Sequence, residues 1–191
     1  MDRAALEARL AAFPIYAYAF FTPDQLVFSE RVRTICRTQC PMYDKSWACP
    51  PAVGTVAACR ERLLRFQRGL MIATVAEVPD IADMPRALQT RGPHERLTRR
   101  VLALVRHQAG EATALSTEAC ALCKQCAWPG AACRHPERMF PCVESHGILV
   151  TDLAEKCGVD FMAGGNLITW FSLIFYNEFP SGSEGGRGHE A

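Results

Sequence analysis

The chain lacks most of the signatures by which enzymes can be read from sequence. Its 191 residues contain no G-x-x-x-x-G-K phosphate loop, no G-x-S-x-G nucleophile elbow and no H-E-x-x-H zinc helix. Gly164 and Gly165 in MAGGN do not form a G-x-G-x-x-G dinucleotide fingerprint and read instead as a turn. Charge of one sign is also missing: 21 basic residues stand against 20 acidic ones, so there is no electrostatic case for nucleic-acid binding. The one basic cluster, ERLTRR at 95–100, reads as the solvated face of a helix. No apolar run is long enough to cross a bilayer; the best, NLITWFSLIFY at 166–176, is too short, so no membrane partner is expected. The opening MDRAALEARLAAF has no apolar stretch of the secretory kind, which predicts a reducing cytoplasmic setting.

Against these absences stand ten cysteines. A chain of this length can bury a real core without staples, and disulfides do not persist in a reducing compartment. Metal or redox chemistry is the expected use of the thiols. Four of them, Cys120, Cys123, Cys126 and Cys133, fall in CALCKQCAWPGAAC, a C-x2-C-x2-C run followed by a fourth thiol after six residues. Thiols at this interval cannot easily bond one another, but a loop can wrap three of them around one face of a compact cluster, as bacterial ferredoxins do with C-x2-C-x2-C-x3-C-P. Structural zinc sites usually set two C-x2-C knuckles further apart, so a [4Fe-4S] cluster is favoured, with zinc as the alternative. The fourth spacing and the Arg134 that replaces proline depart from the ferredoxin form, so Cys133 is the least secure of the four.

A second stretch carries Cys36, Cys40, Cys49 and Cys59, spaced x3, x8 and x9. Loops can gather irregularly spaced thiols, and the proline-rich ACPPAVG context fixes a turn at Cys49. Cys59 falls in the following helix and can face either that loop or the core. The pair at 36 and 40 begins the CxxxCxxC of radical S-adenosylmethionine enzymes, but Tyr43 stands at the third position, and a phenol does not replace a thiolate there. Tyr43 and Trp47 are expected to pack beside a cluster and shield it from water.

The remaining pattern predicts an α/β or α+β fold, a single mixed sheet flanked by helices, with two cysteine-rich metal-binding loops. One domain over 1–179 is expected, followed by a flexible Gly/Ser-rich tail at 180–191. A helix capped by Asp2 is predicted over 3–12, strands at 15–20 and 25–30, a helix over about 54–68 closed by Gly69, and a strand over 70–78. Further on come a helix through ERLTRRVLALVRHQ, a strand in ATALSTEA, a short helix at 142–146 ending at Gly147, the strand GILV, a helix capped by Asp152 and ending at Gly158, and a buried strand over 166–178.

Arg134 and His135 follow Cys133 directly and either donate hydrogen bonds to cluster sulfurs or form a surface turn. Glu144 and His146 read as a capping acid and a surface histidine in preference to a proton relay. Cys157 suits core packing, and His94 and His107 show no partner.

Two signatures resemble a known family. CRTQCPMYDKSWACPP is similar to the C-x3-C, aromatic, CPP segment of the predicted metal-binding proteins grouped as domain of unknown function family 2284, and CALCKQC with CRHPERMFPCVESHGILV is similar to its CxxCxxC, CRxP, PSxEAxGI segment. The similarity spans roughly residues 30–178 and implies a cysteine-bound metal centre without implying a reaction. The chain departs from that pattern at Cys142 and Ser145, where the family tends to have Ser and Ala. Taken together, the sequence predicts an iron–sulfur protein with two [4Fe-4S] clusters that exchanges electrons with a partner protein. The alternatives are an enzyme with an open iron site and a zinc-stabilised interaction module.

Overall fold

A computed structural model describes residues 3–178. The Asp2 cap and the 180–191 tail lie outside these described residues. Four strands form one sheet in the order β1 (Ala17–Phe21), β2 (Arg68–Glu77), β4 (Leu167–Tyr176), β3 (Ala112–Ser116). All three pairings are antiparallel, so the fold is α+β, and among the described residues the only parallel pairing is a single bridge between Ser116 and Cys142.

Strand side chains alternate between faces, and both faces of this sheet are apolar. Leu70, Ile72 and Ile174 pack on one side against α1 (Arg3–Leu10) and α5 (Arg91–Ala109), through Leu6, Leu10, Val101 and Val105. Met71, Leu173 and Phe175 pack on the other against Leu63 of α3 (Val56–Leu64) and Leu153 of α6 (Val150–Lys156). Each fully buried side chain of this size contributes about 1.5–3 kcal/mol. No cysteine belongs to the buried set of either cluster, although Cys157 packs against the second, as its sequence position suggested.

Several elements differ from the sequence reading. The expected strand at 25–30 is a 3-10 turn at Pro23–Gln25 with one bridge from Phe28 to Ile148, after which α2 (Glu30–Gln39) begins. Ser29 caps α2 by accepting from the Arg31 N–H at 3.2 Å. The first cysteine is therefore helical and not in a loop. Gly69 ends no helix; α3 stops at Leu64, and Gly69 lies inside β2 opposite Phe21 and Phe175. The Phe21 ring covers the space a side chain would need there. The GILV strand reduces to the Ile148 bridge, because α6 already starts at Val150. Asp152 sits in the first turn of α6 and pairs with Lys156 at 2.8 Å, while Leu149 occupies the cap.

The helix expected from Glu95 starts four residues earlier, at Arg91, because Pro93 falls in the first turn, where its missing N–H costs nothing. A short helix, α4 (Met84–Gln89), precedes it, with Asp83 accepting from the Arg86 N–H at 3.1 Å. Among the described residues no helix is long and apolar enough to cross a membrane.

Candidate metal centre

Two irregular segments carry most of the thiols. Residues 40–55 link α2 to α3, and residues 117–143 link β3 to a 3-10 turn at Glu144–His146. Loops this long without a helix or strand of their own are uncommon in compact domains and usually functional. The second leaves and returns at one point, because Ser116 donates its N–H to Pro141 O at 3.0 Å and accepts from the Val143 N–H at 2.9 Å. Gly147 closes the turn at φ 76°; a Cβ there would come within 3.0 Å of Val56 side-chain atoms, so this position favours glycine twice over.

Within the second loop Cys120, Cys123, Cys126 and Cys133 line a single small cavity together with Ser46, Trp47, Arg134 and His135. No carboxylate belongs to its lining. Such a set of soft sulfur donors suits zinc or an iron–sulfur cluster and does not suit calcium or magnesium. Among the described residues, no three or more His, Cys, Asp or Glu side chains form a group that could hold a metal ion. The thiols share a cavity, then, without converging on one ion-sized point.

Hydrogen bonding around these sulfurs is uneven. Burial works against ionisation of Cys126, but the backbone N–H groups of Trp128 and Trp47 and the Ser46 side chain outweigh it and hold the thiol below its ordinary value. Burial raises Cys120. The His135 backbone N–H donates to Cys133 Sγ at 3.4 Å, and Arg134 reaches back to Gln125 O at 2.8 Å, pinning the loop on itself. Arg134 and His135 thus both line the cavity, the first acting on the loop backbone and the second through its main chain.

The upstream thiols are arranged differently. Cys36, on α2, is buried and its Sγ lies 3.9 Å from Glu144 O. Burial, reinforced by Cys40 and Cys36, pushes Cys49 up to about 12, so these three sense one another electrostatically. Burial likewise raises Cys36, with Cys40 next in effect. Cys59 is not part of this group. Its Sγ donates to Val53 O at 3.4 Å and accepts from Arg62 at 3.1 Å, within the buried side of α3. Of the two readings open from sequence, the fully buried side chain faces the backbone of the 40–55 segment and belongs to neither core cluster. Tyr43 lines a cleft with Arg33 and Arg37 of α2 and is not in the lining of the thiol cavity, whereas Trp47 is.

The two cysteine stretches meet. Trp128 Nε1 donates to Asp44 Oδ1 at 2.8 Å, Trp47 Nε1 donates to Ala131 O at 3.0 Å, and the two indoles pack edge to face at 4.7 Å. Asp44 holds φ 57°, a left-handed conformation that Asp tolerates better than most residues. The Cys142 N–H donates to Ala48 O at 3.1 Å, one residue from Cys49. Cys142 Sγ in turn donates to Glu144 Oε2 at 2.7 Å, and burial first, then Glu144, raises the thiol well above its ordinary value.

A family model for predicted metal-binding proteins, DUF2284, matches residues 19–176. The chain belongs to this family. The matched span takes in β2, β3, β4, most of β1 and both cysteine stretches, as the resemblance of the two signatures implied. No curated protein and no solved structure matches the chain.

Two histidines were misjudged from sequence. His146 is buried, not on the surface, and burial lowers it to about 4; its Nδ1 lies 3.0 Å from Cys142 O. His94, without a partner in the sequence reading, is 1% exposed and bonded through both ring nitrogens. The only signal for its burial was its place at i, i+4 and i+7 spacing with Thr98 and Val101 on the inner face of α5.

Proposed function

We propose that this DUF2284 protein is an iron–sulfur protein that exchanges electrons with a partner protein. The observation that carries this reading is the cavity lined by all four thiols of the C-x2-C-x2-C loop and its follower, free of carboxylates and backed by Trp47. A cluster bound there would supply a site that gains and loses one electron at a time. The chain's own part is to keep water away through the paired indoles, to offset negative charge with the His135 N–H directed at Cys133, and to keep the loop closed through Arg134 and Gln125. Exposed Ala131, Ala132 and Arg134 put this loop at the surface, where a partner could approach.

Cys36, Cys40 and Cys49 form the candidate second centre. Cys59 is hydrogen-bonded to Val53 and Arg62 and to no thiol, so we read this group as three thiols. That favours, as a second reading, a cluster with one iron left open to a substrate, for which three protein thiolates are the expected set.

Anaerobic purification followed by iron, acid-labile sulfide and zinc analysis tests both. About eight irons and eight sulfides per chain are expected if both centres hold [4Fe-4S] clusters, and about four of each if only the downstream loop does. Paramagnetic resonance of the reduced protein, with and without added small ligands, separates an open iron from a fully thiolate-bound one. Colourless protein with stoichiometric zinc and no sulfide would falsify both readings.

A further inference from the structure

On the α5 side of the sheet lies a cavity of about 530 Å³ with no cysteine in its lining. Its volume falls within the range of small-molecule sites. Pro93, Leu97 and Trp170 give it apolar walls, Thr74 and His94 a polar floor, and Arg96 and Arg100 two exposed guanidinium groups. We propose that this cavity binds a small organic carboxylate that has an apolar body and a hydroxyl group.

Charge is the first support. Helix α5 divides its arginines between two sides: Arg91 and Arg99 pair with Glu95 at 3.5 and 3.0 Å, whereas among the described residues Arg96 and Arg100 have no acidic partner within ion-pair distance. No Asp or Glu lines the cavity. Two cations at i, i+4 repel each other, and a carboxylate placed between their planar donor forks would relieve that repulsion with charge-assisted hydrogen bonds. Arg100 is also held in place, with its guanidinium 4.8 Å from the Phe13 ring centre.

The floor supplies the second support. His94 Nε2 is 2.8 Å from Ser172 Oγ, and Ser172 Oγ donates to Ser116 Oγ at 3.0 Å. Thr98 Oγ1 already donates to His94 O at 3.0 Å. This network assigns the ring proton to Nε2, so Nδ1 must accept from the Thr74 hydroxyl at 2.8 Å. Thr74 Oγ1 is left with its lone pairs towards the cavity, as a fixed acceptor that selects a ligand hydroxyl. The sheet edge adds a donor. Ala73 O accepts from the Tyr16 N–H at 2.9 Å just before β1 begins, so Val75, two residues on and also lining the cavity, turns its peptide groups to the same edge beyond β1.

Isothermal titration of the full chain with mandelate, phenylacetate and mandelamide tests the proposal, since these share one ring and differ in hydroxyl and charge. Mandelate should bind saturably, phenylacetate at least threefold more weakly, and mandelamide at least tenfold more weakly. The exposed pair Arg96→Ala/Arg100→Ala should fold normally by circular dichroism and lose at least tenfold in mandelate affinity, and Thr74→Val should erase the preference for mandelate over phenylacetate. Cys123→Ser should leave binding unchanged, because the site is independent of whatever the thiols hold. No saturable mandelate binding, equal affinity for mandelamide, or full affinity in the folded double arginine variant would each overturn it.

Discussion

The two cysteine groups solve the same chemical problem in opposite ways. Downstream, four thiols lie within fourteen residues of one loop, share a cavity, and include one held below its ordinary ionisation range by surrounding N–H groups. Upstream, Cys36 comes from a helix and Cys40 and Cys49 from the segment after it, and burial raises Cys49 to about 12 and Cys36 above its ordinary value. The downstream set is defined by local spacing, although Ser46 and Trp47 of the 40–55 segment complete its cavity and help to lower Cys126. The upstream set exists only because α2, the 40–55 segment and the Glu144–His146 turn are packed together, and in its present geometry it resists ionisation. Metal binding requires thiolates, so on the proposed function the downstream loop is expected to load more easily than the upstream set.

The largest expected difference is all or none. Cys123→Ser should remove the downstream centre, and with it roughly half of the iron and sulfide if both centres fill. Cys59→Ser should leave metal content intact, because Cys59 bonds Val53 and Arg62 and none of its thiol neighbours. Metal loss in the Cys59 variant equal to that in the Cys123 variant would break the comparison at its upstream end.

Acid should separate the regions next. His94 and His146 are held near 4 by burial, below their ordinary value of 6.5. As pH falls through 6.5 the unfolded chain takes up protons that the folded chain refuses, so stability declines until pH reaches about 4. Each histidine accounts for up to about 3 kcal/mol of that loss. Urea midpoints at pH 7 and 4.5 should therefore differ clearly, and His146→Asn, beside Cys142, should flatten part of the slope. A midpoint that does not move with pH would refute the neutral, buried state of both rings.

A third contrast is kinetic. In metal-free protein at pH 7.5, Cys126 should be alkylated by iodoacetamide at least about 30-fold faster than Cys49, the lower nucleophilicity of a more acidic thiolate partly offsetting its greater abundance. Peptide mass spectrometry over time reads both rates in one sample, and comparable rates would erase the distinction drawn above. The smallest effect belongs to the tie between the groups. Trp128→Phe removes the hydrogen bond to Asp44 at a cost of about 1 kcal/mol, seen as a lower melting temperature.

What could be read from the sequence follows the same division. Cys120, Cys123, Cys126 and Cys133 were visible because their spacing is itself the geometry. Strands β2, β3 and β4 and the core of α5 were visible because their apolar patterns are strong. Helix α2 was not, since ERVRTICRTQ is mostly exposed and buries only Cys36; the Ser29 cap followed by Glu30 was the signal available. Gly69 misled because a glycine ordinarily stops a helix, whereas here it makes room for the Phe21 ring, a contact between strands that no local pattern encodes. The direction taken by Cys59 depended on Arg62, one turn further along α3, reaching back to the sulfur.

The placement of the tryptophans gives each region its own optical reporter. The chain has three. Trp47 and Trp128 meet beside the thiol cavity, while Trp170 lines the α5 cavity with its Nε1 donated to Thr90 at 2.9 Å. Emission from the first pair should be quenched by a coloured metal centre and recover when it is removed. Emission from Trp170, buried on the α5 side of the sheet, should report on the second cavity, so both sites can be followed in one cuvette without attaching a label.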